Sequence, residues 1–150
     1  MLRPILLGLV AGMRSITPLA VVSDAARRGR LPRGNGAPTL LADPRVCAGV
    51  TALAVGELLG DKLPSAPDRI VPAGLLARLI TAAVSGAALA PRRRRVEAAA
   101  LAAGAATGFA FLSWHVRMAA LRRWGQTPTG LVEDALSVSA ALLIVYALND

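Results

Sequence analysis

Glu57 to Lys62 reads Glu-Leu-Leu-Gly-Asp-Lys at the close of an apolar run, setting the carboxylates of Glu57 and Asp61 one helical turn apart on a single face. A second acidic pair, Glu133 and Asp134, stands at the head of the last apolar run, and Arg14 and Arg78 interrupt the first and third. Charges in such surroundings support two chemistries. They relay protons or ions along a pathway, or they hold a divalent cation through carboxylate oxygens while Lys62 or Arg78 holds a phosphate. Either way, a charge at mid-membrane costs on the order of 3 kcal/mol, so these side chains must face a protein interior and meet partners.

The elements that position them follow from composition. The chain has 150 residues, 55% of them hydrophobic and 17% charged, with a mean hydropathy of +0.54. Its apolar content is Ala, Leu, Val and Gly with few aromatics, which suits helices packing closely in lipid better than a water-soluble core. One all-α transmembrane domain over 1–150 is the expectation, a multi-pass protein of the cell membrane. The net charge of +8 comes almost wholly from Arg gathered between apolar runs, so it sets topology and meets anionic lipid headgroups. Nucleic-acid binding lacks the interleaved aromatics it needs. The single Cys47 forms no intramolecular disulfide and reads as a packing residue.

Breakers divide the chain into about five spans: 4–23, 43–63, 72–91, 96–121 and 130–148. Arg14 and Thr17-Pro18 interrupt the first run too early for a cleaved signal peptide, and the Thr17-Pro18 pair bends the helix or ends it. In a five-span arrangement nine basic residues (Arg27, Arg28, Arg30, Arg33, Arg45 and Arg92 to Arg95) share one face, and Arg3, Lys62, Arg69, Arg122 and Arg123 share the other. The richer face is cytoplasmic by the positive-inside rule, which puts the N-terminus outside and the C-terminus inside. At 1.5 Å per residue Arg14 and Glu57 then reach the same mid-depth and pair, with the other polar residues toward the outer side around an outward cavity.

Small residues recur at four-residue spacing in Gly8/Gly12, Gly56/Gly60, Ala82/Gly86/Ala90 and Gly104/Gly108, predicting close helix contacts or a homo-oligomer. A Gly-x-x-x-Gly run bearing an Arg precedes an acidic helix twice, Arg14 before Glu57 and Asp61, and Arg117 before Glu133 and Asp134. That echo suggests a two-helix inverted repeat around a central helix. Each charge also has a plainer reading: Glu133 and Asp134 as first-turn acids on a helix dipole, His115 beside Trp114 as an interfacial pair, Lys62 and Arg117 as snorkelling cations.

The stretches 12–20, 56–64 with Pro67, Arg69 and Pro72, Arg78 with Ser85-Gly86-Ala87, and 132–135 together resemble a bacterial integral-membrane family designated domain of unknown function 4126. The resemblance covers nearly the whole chain, and Gly-Glu-x-x-Gly-Asp-Lys-Leu-Pro is its most specific piece. It implies a multi-span membrane protein whose shared polar residues are Arg14, Glu57, Asp61, Lys62, Arg78, Glu133 and Asp134, with no activity attached.

No Walker loop, His-Glu-x-x-His, Cys-x-x-Cys or Gly-x-Ser-x-Gly occurs in the chain, and no nucleophile is placed, so the reading leans away from an enzyme. The expected function is a transporter, channel or lipid-translocating module with an intramembrane Arg/carboxylate site, needing no cofactor. The alternative is a membrane enzyme for a lipid or isoprenoid phosphate, with Mg2+ held by Glu57, Asp61 and Glu133.

Overall fold

A computed structural model describes residues 1–60 and 71–148. Asp61 and Lys62, with Pro64, Pro67 and Arg69 of the resemblance, lie outside the described residues. Six α-helices and no strand occur among those described: α1 (Leu2–Met13), α2 (Thr17–Arg27), α3 (Pro44–Gly60), α4 (Pro72–Ala88), α5 (Arg95–Trp124) and α6 (Gln126–Leu142), which runs into a π-helical turn at Leu143–Ala147. Two helical stretches, Arg92–Trp124 and Gln126–Ala147, are long and apolar enough to cross a membrane, while Leu2–Met13 and Pro72–Ala88 are shorter apolar helices.

The first apolar run is two helices, not one. Pro18 cannot donate a helical hydrogen bond, and its ring would strike the Arg14 carbonyl if α1 continued. At the start of α2 the same ring is favoured, so the chain breaks over 14–16, with Arg14 extended at φ −135° and ψ 114°. The chain then turns back. Arg3, at the start of α1, donates to the carbonyls of Ile144 and Val145 at 3.1 and 3.2 Å, while Asp24, near the end of α2, accepts the Tyr146 hydroxyl at 2.7 Å. Both arms therefore meet the same turn of chain, and α1 and α2 form a helical hairpin with its apex at the break. A straight helix would have carried Asp24 to the opposite end of the bundle from Arg3.

The Arg-rich connections lie at the open end of this hairpin. The Gly36 amide donates to Ala90 and the Arg92 amide to Gly34, which ties the loop after α2 to the loop before α5. One apolar core joins Leu7, Val10, Val22, Ala25, Leu41, Leu89, Ile144 and Val145 at that end. A second, made only of small residues, joins Ala11, Ala82, Ala102 and Ala106 where α1, α4 and α5 meet.

Gly8 and Gly12 on α1 and Gly86 on α4 are the glycines this approach requires. A Cβ on Gly8 would collide with the Ala102 carbonyl, and one on Gly86 would meet the Ala98 carbonyl at 2.8 Å. At Gly56, Gly60, Gly104 and Gly108 a Cβ meets nothing within 4 Å, so their expected close contacts are not made within the described chain. The stripe α5 turns to its neighbours is Ala98, Ala102, Ala106 and Ala110, all fully buried. Overpacking of this kind costs about 1 to 3 kcal/mol. Gly8→Ala should lower the unfolding temperature in detergent, and Gly104→Ala should leave it unchanged or raise it. Equal shifts would mean that α1 and α5 are not in backbone contact.

Nor are the two halves built alike. A broken hairpin stands where the second half has one 30-residue helix, so the sequence echo does not extend to the elements. Helix α6 also begins earlier than expected, because Gly125 at φ 82° ends α5 and Pro128 fits within the first turn of the next helix. Glu133 and Asp134 therefore sit about two turns inside α6 and are not first-turn acids.

Candidate functional site

Breaking a helix frees backbone groups that water cannot reach, and each must find a partner. At the apex those partners are the charged residues of the other helices. Glu57 of α3 accepts the Ser15 amide at 2.8 Å and the Ser15 hydroxyl at 2.7 Å on one oxygen, and the Ile16 amide at 2.9 Å on the other. Its carboxylate thus caps the positive end of α2 from across the bundle. At the negative end of α1, the Gly12 carbonyl accepts from Arg78 Nε at 3.2 Å and from the Ser113 hydroxyl at 3.3 Å. Arg78 also reaches the Gly74 carbonyl at 3.0 Å.

Arg14 occupies the apex and is 1% exposed. Its guanidinium stands 2.5 Å from an Asp134 oxygen and 3.9 Å from Glu133. Glu133 also accepts from Arg117 of α5 at 2.6 Å, a pair about nine-tenths buried on both sides. Arg14, Glu57, Arg78, Glu133 and Asp134 therefore gather around one break in one helix.

The expected Arg14–Glu57 pair is not formed. The depths agree, but the turn at Pro18 gives Glu57 two backbone amides to bind and leaves Arg14 facing α6. Arg117, read as a snorkelling cation, belongs to the buried network. Ser15, Ser113 and the Gly12 carbonyl were not identified from sequence, because nothing marks a carbonyl or a serine as a partner until the break is placed. His115 is exposed, packs edge-on against Trp114 at 4.8 Å and is not part of the cluster.

Among the described residues no group of three acidic, His or Cys side chains is gathered to share a metal. Of the three acids expected around Mg2+, Glu57 and Glu133 have different partners on different sides of the break, and Asp61 lies outside the described residues. Beside the cluster, α5 and α6 enclose a half-open cavity of about 500 Å3 that reaches from Met13, Arg117 and Glu133 to Trp124 and Pro128.

Away from the cluster, Asp24 ties the open end of the hairpin to the C-terminal turn. Burial raises its carboxyl, but hydrogen bonds from Tyr146, Arg28 and Arg27 outweigh that effect and hold it below the usual carboxylate range. A depressed folded value contributes stability above the unfolded value of about 4, and the contribution is lost as pH falls through the folded value. Wild type should therefore lose its stability advantage over Asp24→Asn between about pH 5 and pH 2. A constant difference across that window would show that Asp24 titrates normally.

The chain matches no family profile, no curated protein and no solved structure.

Proposed function

We propose that this chain is a small transporter or lipid-translocating module of the cell membrane with its gate at the hairpin apex; the resemblance to domain of unknown function 4126 supports the multi-span membrane class and attaches no activity. The observation that carries the reading is the helix break itself, whose two ends are held by charged side chains from α3 and α4. Non-helical backbone at membrane depth is tolerated where protein or a cavity surrounds it, and broken helices with charged partners are how transporters build sites near the midplane.

In this reading α3 to α6 span the bilayer and α1–α2 is re-entrant, in place of five spans. Helix α1 descends about 18 Å into a core about 30 Å thick, so the apex sits slightly past the middle. The charge balance supports this. Arg3 moves to the Arg-rich side, giving ten basic residues there against Lys62, Arg69, Arg122 and Arg123. Both termini are then cytoplasmic and the α5–α6 cavity opens toward the outer leaflet. The open Gly104/Gly108 face of α5 is where a second copy would pack.

Topology and transport are tested together. In a Cys47→Ala background, single cysteines at Leu2, Gly34 and Arg93 should all resist an impermeant thiol reagent on intact cells, and one at Thr127 should react. Proteoliposomes should show either proton entry, read by an entrapped dye, or lipid flip, read by quenching of a labelled headgroup, and Arg14→Met should abolish it. Two flat traces with correctly folded protein would sink the transport reading.

A further inference from the structure

At the apex, Arg14 and Arg117 meet Asp134 and Glu133. The open end of the hairpin is balanced differently. A half-open cavity of about 440 Å3 lies there, between the start of α1 and the connection from α4 to α5, and its charged side chains are all of one sign. Arg3, Arg93 and Arg94 line it, no acidic residue does, and Pro4, Leu89 and Ala90 supply a buried apolar side.

The fold holds these cations in place. The Arg92 amide donates to the Gly34 carbonyl and the Arg94 amide to the Pro91 carbonyl, each at 2.8 Å, which fixes the tight turn Arg92–Arg94 against the loop after α2. Arg3 is anchored by the Ile144 and Val145 carbonyls. Arg94 binds Glu97 through Nε and Nη2 in an exposed pair, a kind that is worth little in water. Arg93 differs from both, since among the described residues no hydrogen bond or ion pair engages its guanidinium. The sequence offers Arg92 to Arg95 as one run of charge; the structure separates them, because Arg92 and Arg95 do not line the cavity.

An anion answers this arrangement best. The planar fork of an arginine matches the paired oxygens of a phosphate, and charge-assisted bonds of that kind are the ones that compete with water. The apolar side suits a ligand that carries hydrocarbon next to its charge. In the re-entrant arrangement this end of the bundle meets the cytoplasmic leaflet, where basic pockets between helices hold anionic headgroups. We infer that the cavity bounded by Arg3, Arg93 and Arg94 binds the phosphodiester headgroup of one anionic phospholipid. Bound there, the phosphate joins the start of α1 to the start of α5, and because Arg3 also holds the C-terminal turn, the lipid stabilises the open end of the hairpin and leaves the apex untouched. The site rests on the membrane arrangement proposed above and not on its gate, so lipid binding and proteoliposome flux fail separately.

The test uses the full chain in uncharged detergent micelles, with dihexanoyl phosphatidylglycerol as the probe, dihexanoyl phosphatidylcholine as its zwitterionic counterpart and inorganic phosphate as the free anion. Phosphatidylglycerol should raise the unfolding temperature, since a ligand bound only to the folded state stabilises it by mass action, and phosphatidylcholine should not. Native mass spectrometry should show one phosphatidylglycerol retained. Arg93→Gln should weaken binding about tenfold or more, the worth of one charge-assisted bond, and Arg92→Gln by less than about twofold. Neither guanidinium holds a partner among the described residues, so both variants should unfold as wild type does without lipid, which separates a lost site from a lost fold. Equal losses in the two variants would mean a diffuse charged surface and refute the pocket, as would equal stabilisation by phosphatidylcholine. Inorganic phosphate protecting as well as phosphatidylglycerol at the same concentration would overturn the lipid assignment in favour of a free-phosphate site.

Discussion

Glu57→Leu is expected to lower stability by about 3 to 5 kcal/mol, because it takes the acceptor from two amides and a hydroxyl at the hairpin apex, each a charge-assisted bond of about 1.5 to 3 kcal/mol. The loss has a particular chemical signature. Glu57→Gln keeps one carbonyl oxygen for Ser15 but turns an NH2 toward the Ile16 amide or the reverse, so it should recover only part of the loss. Glu57→Asp keeps both oxygens on a shorter arm and should also fall between the two. Unfolding in mixed detergent micelles gives the ranking directly. Adding Arg14→Met to Glu57→Leu should restore nothing, since Glu57 caps a helix and does not pair with Arg14. Recovery in that double variant would mean that the two side chains meet after all.

That expectation reverses the one depth alone supports, and the reason shows what the sequence can carry. Apolar runs, breakers and misplaced charges are one-dimensional properties, so they identify Arg14, Glu57, Arg78, Glu133 and Asp134 as residues that must be accommodated together. Partner assignment depends on the path of the chain. Thr17-Pro18 announces a disruption, but whether a helix bends and continues or turns back is decided by contacts more than 100 residues away, such as Arg3 with Ile144 and Asp24 with Tyr146. Once the chain turns back, the N-terminus changes ends, Glu57 finds amides and Arg14 finds α6. The same limit applies to the glycines. Gly8/Gly12 and Gly104/Gly108 are the same motif, yet among the described residues only the first has a helix against it, because spacing records where contact is permitted and not where it occurs. The start of α6 was harder still, since a proline that ends one helix is tolerated in the first turn of another and Pro128 is the second kind.

The partner assignment is decided by a double-mutant cycle on Arg14 and Asp134. Arg14→Met removes the guanidinium 2.5 Å from Asp134 and should lower stability by about 3 to 5 kcal/mol, the usual result of breaking a buried pair from one side. Asp134→Leu should cost less, because Arg14 also lies 3.9 Å from Glu133 and the cluster can shift toward that carboxylate. Arg14→Met with Asp134→Leu takes out both charges and puts hydrocarbon in their place, so it should recover about 2 to 3 kcal/mol relative to the sum of the single losses. Arg117→Met with Glu133→Leu should show coupling of the same sign, weakened because Arg14 shares Glu133. Against these, the Arg14 and Glu57 cycle should be additive within about 0.5 kcal/mol. Stability recovered together with loss of the proteoliposome signal would show the pairs to be a gate whose charges the function needs and the fold does not. Stability and signal recovered together would leave them as locks between helices, and the transport site would have to be sought elsewhere in the bundle.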